Sequence, residues 1–158
     1  MTILDYAYYY LKKGFSVIPL RPNGKKPVIE WAEFQSRFPT EEELFEWFGN
    51  GSQNNIGIVT GAISGLDVVD LDSADAVRFA QEHSFPLTPL VKTGEGIHLY
   101  YRHKEGVRNF QKRDDLPGID LRGDGGYIVA PPSVHESGKR YHWCFGSIDD
   151  HRVRVWII

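Results

Sequence analysis

Cysteine is almost absent from this sequence: Cys144 stands alone among 158 residues. An intrachain disulfide and a cysteine-rich zinc site are therefore excluded. No apolar run approaches the length of a membrane span, and the N-terminus lacks the basic region and apolar core of a signal peptide. We expect a single cytoplasmic domain over residues 1–158 with no membrane partner, since 41% hydrophobic and 25% charged residues are typical of globular proteins.

An excess of basic residues is also missing, because the formal net charge is -3. Proteins that hold nucleic acid by bulk electrostatics are usually basic, since their affinity comes from neutralising phosphates. We therefore expect any binding of DNA or RNA to be weak in this domain alone, or to be helped by a partner domain.

Capping residues and hydrophobic periodicity predict three helices and a series of short strands. Thr2 begins a helix that ends before Gly14, the Thr40–Glu43 capping box begins one that ends at Gly49, and Ser73 begins one that runs to about residue 83. Strands are predicted over residues 15–20, 55–59, 66–72, 90–92, 97–102, 118–121, 127–130 and 140–145. Several connections are too short for a helical crossover, so we expect an α/β (α+β) fold rich in antiparallel strands.

Two aspartates end the strand predicted over residues 66–72. Because side chains alternate along a strand, Asp70 and Asp72 project from one face while Val69 and Leu71 point into a core. Two carboxylates this close repel each other unless a cation lies between them, and Mg²⁺ and Mn²⁺ prefer oxygen ligands. The alternative is that one aspartate caps the next helix and the other is solvated, although Ser73 already serves as a cap.

A glycine-rich turn precedes the strand that carries His98. In the run KTGEGIHLYY, residues 92–101, Gly94 and Gly96 let backbone N–H groups approach an anion, and His98 can add a donor to a phosphate. A turn followed by a structural histidine is the alternative, because the spacing is neither that of a Walker loop nor that of a dinucleotide fingerprint.

A third segment, GIDLRGDGGYIVAPPS over residues 118–133, places Asp120 and Arg122 on one face of a short strand. The guanidinium of Arg122 can contact phosphate oxygens in a bidentate manner. Asp124 is expected to be a turn residue, since the glycines around it also predict a β-hairpin turn.

These three motifs, in this order, resemble the bifunctional DNA primase/polymerase N-terminal domains, the Prim-Pol branch of the archaeo-eukaryotic primase superfamily. The early Gly24-Lys25-Lys26-Pro27 with Trp31 is similar to that family's N-terminal signature, and the resemblance spans about residue 5 to residue 145. It implies an RRM-like primase catalytic core, an antiparallel-rich sheet flanked by helices, with an N-terminal αβ unit.

The resemblance also implies roles for individual residues. Asp70, Asp72 and Asp120 would bind two Mg²⁺ or Mn²⁺ ions, and His98 would contact the triphosphate. Arg122, Lys92, Gly96 and Lys26 are further expected contacts of the nucleotide.

The implied activity is two-metal nucleotidyl transfer from nucleoside triphosphates onto a 3′-hydroxyl, on a single-stranded DNA template or primer-template, in replication of a plasmid, phage or other mobile element. A helicase or helical-bundle domain is the partner that such relatives often carry.

Three features depart from the family pattern. No Cys/His cluster is present, so the zinc stem of some relatives is missing. Glu95 puts a negative charge beside the expected phosphate site, and the chain ends at residues 151–158, where relatives usually continue, which suggests a truncated chain, a gene fragment or a minimal domain. Two other functions stay open: a metal-dependent phosphoesterase or nuclease, and a non-catalytic or degenerate nucleotide-binding module. Four aromatic residues are expected either to stack on bases or to belong to the core: Tyr100, Tyr101, Tyr127 and Trp143.

Overall fold

A computed structural model describes residues 1–111, 113–116 and 118–149 of the chain. Within these residues the elements are α1 (Ile3–Lys12), β1 (Ser16–Leu20), a 3-10 helix (Ala32–Gln35), α2 (Glu41–Phe48), β2 (Asn55–Val59), β3 (Leu66–Leu71), α3 (Ala74–Glu82), β4 (Leu90–Lys92), β5 (Ile97–Arg102), β6 (Ile119–Arg122), β7 (Tyr127–Ala130) and β8 (His142–Phe145). None of the helices described is both long and apolar enough to cross a membrane. The ending at residues 151–158, discussed above, lies outside the described residues.

The strands form two antiparallel sheets, which confirms the mixed α+β class. One sheet has three strands in the order β1-β2-β7, and the other has five in the order β6-β3-β5-β4-β8. The division into two sheets was not predicted. It arises at the turn after Val59, because β2 pairs with β7 while β3 pairs with β5 and β6.

The three predicted helix starts are confirmed. The hydroxyls of Thr2 and Thr40 each accept the backbone N–H of the residue three positions later. Thr2 forms a reciprocal capping box with Asp5, and Thr40 forms one with Glu43. The hydroxyl of Ser73 accepts the N–H of Ala76. The predicted elements differ from the observed ones by one or two residues at their ends, and the 3-10 helix was not predicted.

Apolar side chains form two clusters, one on each face of the five-stranded sheet. Val69 and Leu71 of β3 pack with residues of β5, β6 and α3, as the alternation predicts. Leu66 and Val68 belong to the larger cluster, which also contains residues of α1, α2 and the three-stranded sheet. Asp70 shares the face of Leu66 and Val68, at the end of β3 where that apolar cluster stops. This placement puts a carboxylate at the edge of the main core.

Candidate active site

A cleft of about 500 Å³ lies at this edge of the main core. Six of the residues predicted from the sequence line it: Asp70, Asp72, Gly96, His98, Asp120 and Arg122. They come from three strands and the turns beside them, so the fold brings together segments that are far apart in the sequence.

Three of these side chains form a row across neighbouring strands. Asp70 on β3 is paired with Asp120 on β6 and, on its other side, with His98 on β5. Directly opposed residues of antiparallel strands have their Cβ atoms about 4.5–5.5 Å apart. Nε2 of His98 lies 3.6 Å from Oδ1 of Asp70, and Asp72 follows just after the end of β3.

The carboxylates of Asp70 and Asp72 differ in their electrostatic surroundings. Burial raises the pKa of Asp70, but the interaction with His98 and the charges of Arg122 and Lys25 bring it below its ordinary value. The pKa of Asp72 is raised by partial burial and by the charges of Asp70 and Asp120. A cation bound at Asp72 would relieve its repulsion by Asp70 and Asp120.

Two cations face these carboxylates. A guanidinium nitrogen of Arg122 lies 3.8 Å from Oδ2 of Asp120, and the amide oxygen of Gln111, when turned toward the guanidinium, accepts from Arg122. Lys25 also lines the cleft. Both positive charges are thus available to an anion that binds beside the aspartates.

The structure brings Lys25 to the cleft, whereas the sequence favoured its neighbour Lys26. The hydroxyl of Tyr127 donates to the carbonyl oxygen of Lys25 over 2.7 Å, and Trp31 packs edge-on against the Tyr127 ring at 5.0 Å. Lys26 lines a neighbouring groove instead. Lys92 is exposed on β4 and lines neither cavity. The Gly-Lys-Lys-Pro segment marked this loop, but nothing in the sequence distinguishes the two lysines.

The glycines of the turn before β5 have a packing role that the sequence did not indicate. A Cβ on Gly94 would lie 2.2 Å from Nδ1 of His135, and one on Gly96 would lie 2.0 Å from the carbonyl oxygen of Leu71. The N–H of Gly96 donates to Oγ1 of Thr93 over 2.8 Å. This N–H is therefore already hydrogen-bonded. Close packing against Leu71, and not the expected approach of an anion, explains the glycine at this position.

A second group of metal-binding residue types lies at the rim of the cleft. Among the described residues, the group of three whose ligand atoms all approach within 4.8 Å is Glu95, His135 and Glu136, and not the three aspartates. The Ser137 N–H donates to Nδ1 of His135 over 3.0 Å, and Oγ of Ser137 lies 2.8 Å from the same nitrogen, so Nδ1 is engaged with Ser137 within its own turn. A two-metal site places its ions about 3.5–4 Å apart, so its carboxylates do not have to converge on one point.

Of the four aromatic residues considered for base stacking, only Tyr127 lines the cleft. Tyr100 and Tyr101 are buried in the two apolar clusters, and Trp143 packs on Tyr100 with ring centroids 4.8 Å apart. Core packing is therefore the role of these three. Trp31 and Tyr141, which the sequence did not single out for this purpose, also line the cleft.

A family model described as "Bifunctional DNA primase/polymerase, N-terminal" matches residues 7–153. The match covers nearly the whole chain and confirms the resemblance drawn from the three motifs. No curated protein matches the chain.

Proposed function

The chain belongs to the bifunctional DNA primase/polymerase N-terminal family, and from this premise we propose that it is a nucleotidyltransferase acting on nucleoside triphosphates and a DNA template. The family implies primase/polymerase activity and is typically metal-dependent. The reaction forms a bond between a 3′-oxygen and the α-phosphorus of the incoming nucleotide. The bond between the α-phosphorus and its bridging oxygen breaks, and pyrophosphate leaves.

The observation that carries this proposal is the row Asp120–Asp70–His98 across three paired strands, with Asp72 at its end. Opposed carboxylates repel each other and destabilise the sheet, and a bound cation removes that repulsion. A cleft with clustered carboxylates on one side and two cations beside them suits a ligand that is both metal-bound and polyanionic. A nucleoside triphosphate with divalent metal has this chemistry.

The donor set fits Mg²⁺ or Mn²⁺. Three carboxylates supply hard oxygen ligands, and partial burial together with the charges of Asp70 and Asp120 raises the pKa of Asp72. Asp70, Asp72 and Asp120 would hold the ions, and bound metal would lower the pKa of the attacking 3′-hydroxyl and offset charge on the phosphates.

The remaining side chains of the cleft would bind and orient the nucleotide. The guanidinium of Arg122 and the ammonium of Lys25 offer charge-assisted hydrogen bonds to phosphate oxygens. Nε2 of His98, which faces Asp70 over 3.6 Å, would donate to a phosphate oxygen. All three donors stabilise the charge that develops on the phosphates in the transition state. Lys26 and Lys92 do not line the cleft, and the N–H of Gly96 is bonded to Thr93, so these three remain predicted contacts at lower priority.

The biological setting that we propose is replication of a plasmid, phage or other mobile element. Primer-template or single-stranded DNA would be the nucleic-acid partner, and a helicase or helical-bundle domain would be the protein partner. The net charge of -3 supports such a partnership, since this domain alone has little bulk attraction for DNA.

The test is extension of a labelled primer-template with deoxynucleotides and Mn²⁺, comparing the unmodified chain with Asp120→Asn. We expect extension by the former and a loss of at least about 100-fold in the variant, because a metal ligand is removed. Asp75→Asn is the matched control, since Asp75 is an exposed helix residue paired with Arg78.

Two outcomes would overturn the proposal. Shortening of the primer would indicate a metal-dependent nuclease or phosphoesterase. Binding of nucleoside triphosphate without any turnover would indicate a non-catalytic nucleotide-binding module.

A further inference from the structure

A second cavity adjoins the catalytic cleft, and we propose that it binds the phosphodiester backbone of the nucleic-acid strand that reaches the cleft. We call it the side groove; its volume is about 400 Å³. One wall is residues 21–26, which we call the basic loop, and the other is His135, Glu136 and Tyr141. The inference rests on the proposed function, because that function puts the reacting end of a strand in the cleft.

The basic loop has a defined shape. The N–H of Arg21 donates to the carbonyl oxygen of Lys26 over 2.8 Å, and the N–H of Gly24 donates to the carbonyl oxygen of Arg21 over 3.1 Å. Nδ2 of Asn55 on β2 donates to the carbonyl oxygen of Gly24 over 3.0 Å, and the Tyr127 hydroxyl donates to the carbonyl oxygen of Lys25. Backbone contacts therefore fix the loop, and its charged side chains are not needed for its conformation.

The groove is positively charged in an otherwise acidic chain. Arg21, Lys25 and Lys26 line it, against the carboxylate of Glu136, which lies within 4.8 Å of that of Glu95. Each of these three cations is exposed, and within the part of the chain that the structure describes none of them forms a salt bridge. Three cations in six residues attract phosphates locally, although the whole chain carries a net charge of -3.

The groove and the cleft are continuous. Lys25, His135 and Tyr141 line both of them. A nucleotide held at the aspartates would lie in the cleft, and the groove beside it would then receive the nucleotides of a strand that follow the reacting one. Lysine and arginine contacts to phosphates are independent of base sequence, which is what a template-directed enzyme requires along the strand.

The first experiment measures strand affinity without turnover. Binding of fluorescein-labelled oligothymidylate is followed by fluorescence anisotropy over a range of salt concentrations, in the absence of divalent metal. For Arg21→Ala/Lys26→Ala we expect roughly tenfold weaker binding and a salt dependence shallower by about 1.4 in log–log slope, from two contacts at about 0.7 each.

Two controls separate local contacts from bulk charge and from folding. Lys12→Ala/Arg78→Ala removes the same charge from residues of α1 and α3 that line neither cavity, and should bind like the unmodified chain. The exchange variant Arg21→Lys/Lys26→Arg should restore affinity, since phosphate contacts need the charge. Equal weakening in both alanine pairs, or no weakening in either, would overturn the inference.

A second experiment identifies the strand. Primer-templates carry neutral methylphosphonate linkages next to the primer terminus, in either the primer or the template. Neutralising the strand that occupies the groove should weaken binding to the unmodified chain and have no effect on Arg21→Ala/Lys26→Ala. If neither strand shows this pattern, the groove does not hold a strand.

The two proposals fail separately. Primer extension with no change of strand affinity in the groove variant would overturn the groove and leave the activity standing. Salt-dependent binding through the groove without primer extension would overturn the activity and leave the groove standing.

Discussion

Asp70 on β3 and Asp120 on β6 are directly paired residues of adjacent antiparallel strands. Like charges in this arrangement are destabilising. Asp70 is compensated by His98 on β5 and by two nearby cations, which is why its pKa is lowered although burial acts in the opposite direction. Asp72, beyond the end of the strand, has no such compensation, and its pKa is raised.

We therefore expect Asp72→Asn to stabilise the metal-free protein. Because the folded-state pKa of Asp72 is raised, its ionised form opposes folding at every pH above that pKa, and the neutral amide removes the cost. The expected rise in Tm at pH 7 with a chelator present is about 1–2 °C, the scale of exposed charge interactions. Mn²⁺ should raise the Tm of the unmodified chain and raise that of the variant less.

Asp75→Asn serves as the control in this experiment, since it removes an exposed carboxylate from the same region and should leave the effect of Mn²⁺ unchanged. A lower Tm for Asp72→Asn without metal, or the same shift by Mn²⁺ in all three proteins, would contradict the explanation.

Gly96 is expected to tolerate no side chain. An added Cβ would meet the carbonyl oxygen of Leu71 at 2.0 Å and Cα of Asp72 at 2.9 Å, and both are backbone atoms that move only if β3 moves. We expect Gly96→Ala to lower Tm by roughly 8–15 °C and to reduce primer extension by displacing Asp72. Gly24→Ala is the matched control, because its nearest contacts are at 3.6 Å, and its Tm should stay within about 2 °C. Similar Tm values for the two variants would contradict this prediction, because β3 would then shift at little cost in stability.

The features that the sequence predicted well are those with local signals. The capping boxes at Thr2 and Thr40, and the motifs around Asp70, His98 and Asp120, each lie within a few residues of one another. Their positions could therefore be predicted from the sequence, and the family model agrees with the primase/polymerase family that the motifs indicated.

The features that the sequence did not reveal depend on remote contacts. The pairing of Ile56 with Ala130 separates the strands into two sheets, and the ring of His135 explains Gly94. Lys25 and Lys26 have the same chemistry, and the hydrogen bond from Tyr127 holds the carbonyl oxygen of Lys25 beside the cleft. These are properties of tertiary packing, which local patterns do not encode.

A pH dependence of stability is expected from the ion pair at the start of α2. The guanidinium of Arg37 donates to both carboxylate oxygens of Glu43, over 2.8 and 3.0 Å. These hydrogen bonds lower the pKa of Glu43 to about 2. Since the folded-state pKa is depressed, the stabilisation is present above the unfolded pKa, from about pH 5 upward, and is lost as the pH falls toward 2.

Glu43→Gln isolates this contribution, because glutamine keeps the capping-box hydrogen bond but not the charge. We expect its Tm to be about 1–3 °C below that of the unmodified chain at pH 7, with the difference shrinking below pH 4. Glu42→Gln, in the same exposed helical turn, should show a smaller difference. A difference for Glu43→Gln that is constant from pH 7 to pH 3 would exclude the ion pair as its cause.

The last prediction contrasts two aspartates of one strand. Asp67 and Asp70 lie on opposite faces of β3, and Asp67 is fully buried, where it accepts from Nδ1 of His103 over 2.8 Å and from the N–H of Lys104 over 3.0 Å. Disrupting buried hydrogen bonds to a charged group by changing one partner costs up to about 3 kcal/mol. Asp67→Asn should therefore lower Tm by roughly 5–12 °C, yet retain primer extension well below that Tm.

Asp70→Asn should instead abolish extension with only a small fall in Tm, because its side chain faces the cleft and is partly exposed, and the favourable interaction with His98 that lowers its pKa is lost. Thermal unfolding curves of both variants, together with primer extension at one temperature well below both Tm values, distinguish the structural from the catalytic role. Loss of extension in Asp67→Asn without a fall in Tm would place that carboxylate in the active site, and the alternation of β3 would then no longer separate structural from catalytic aspartates.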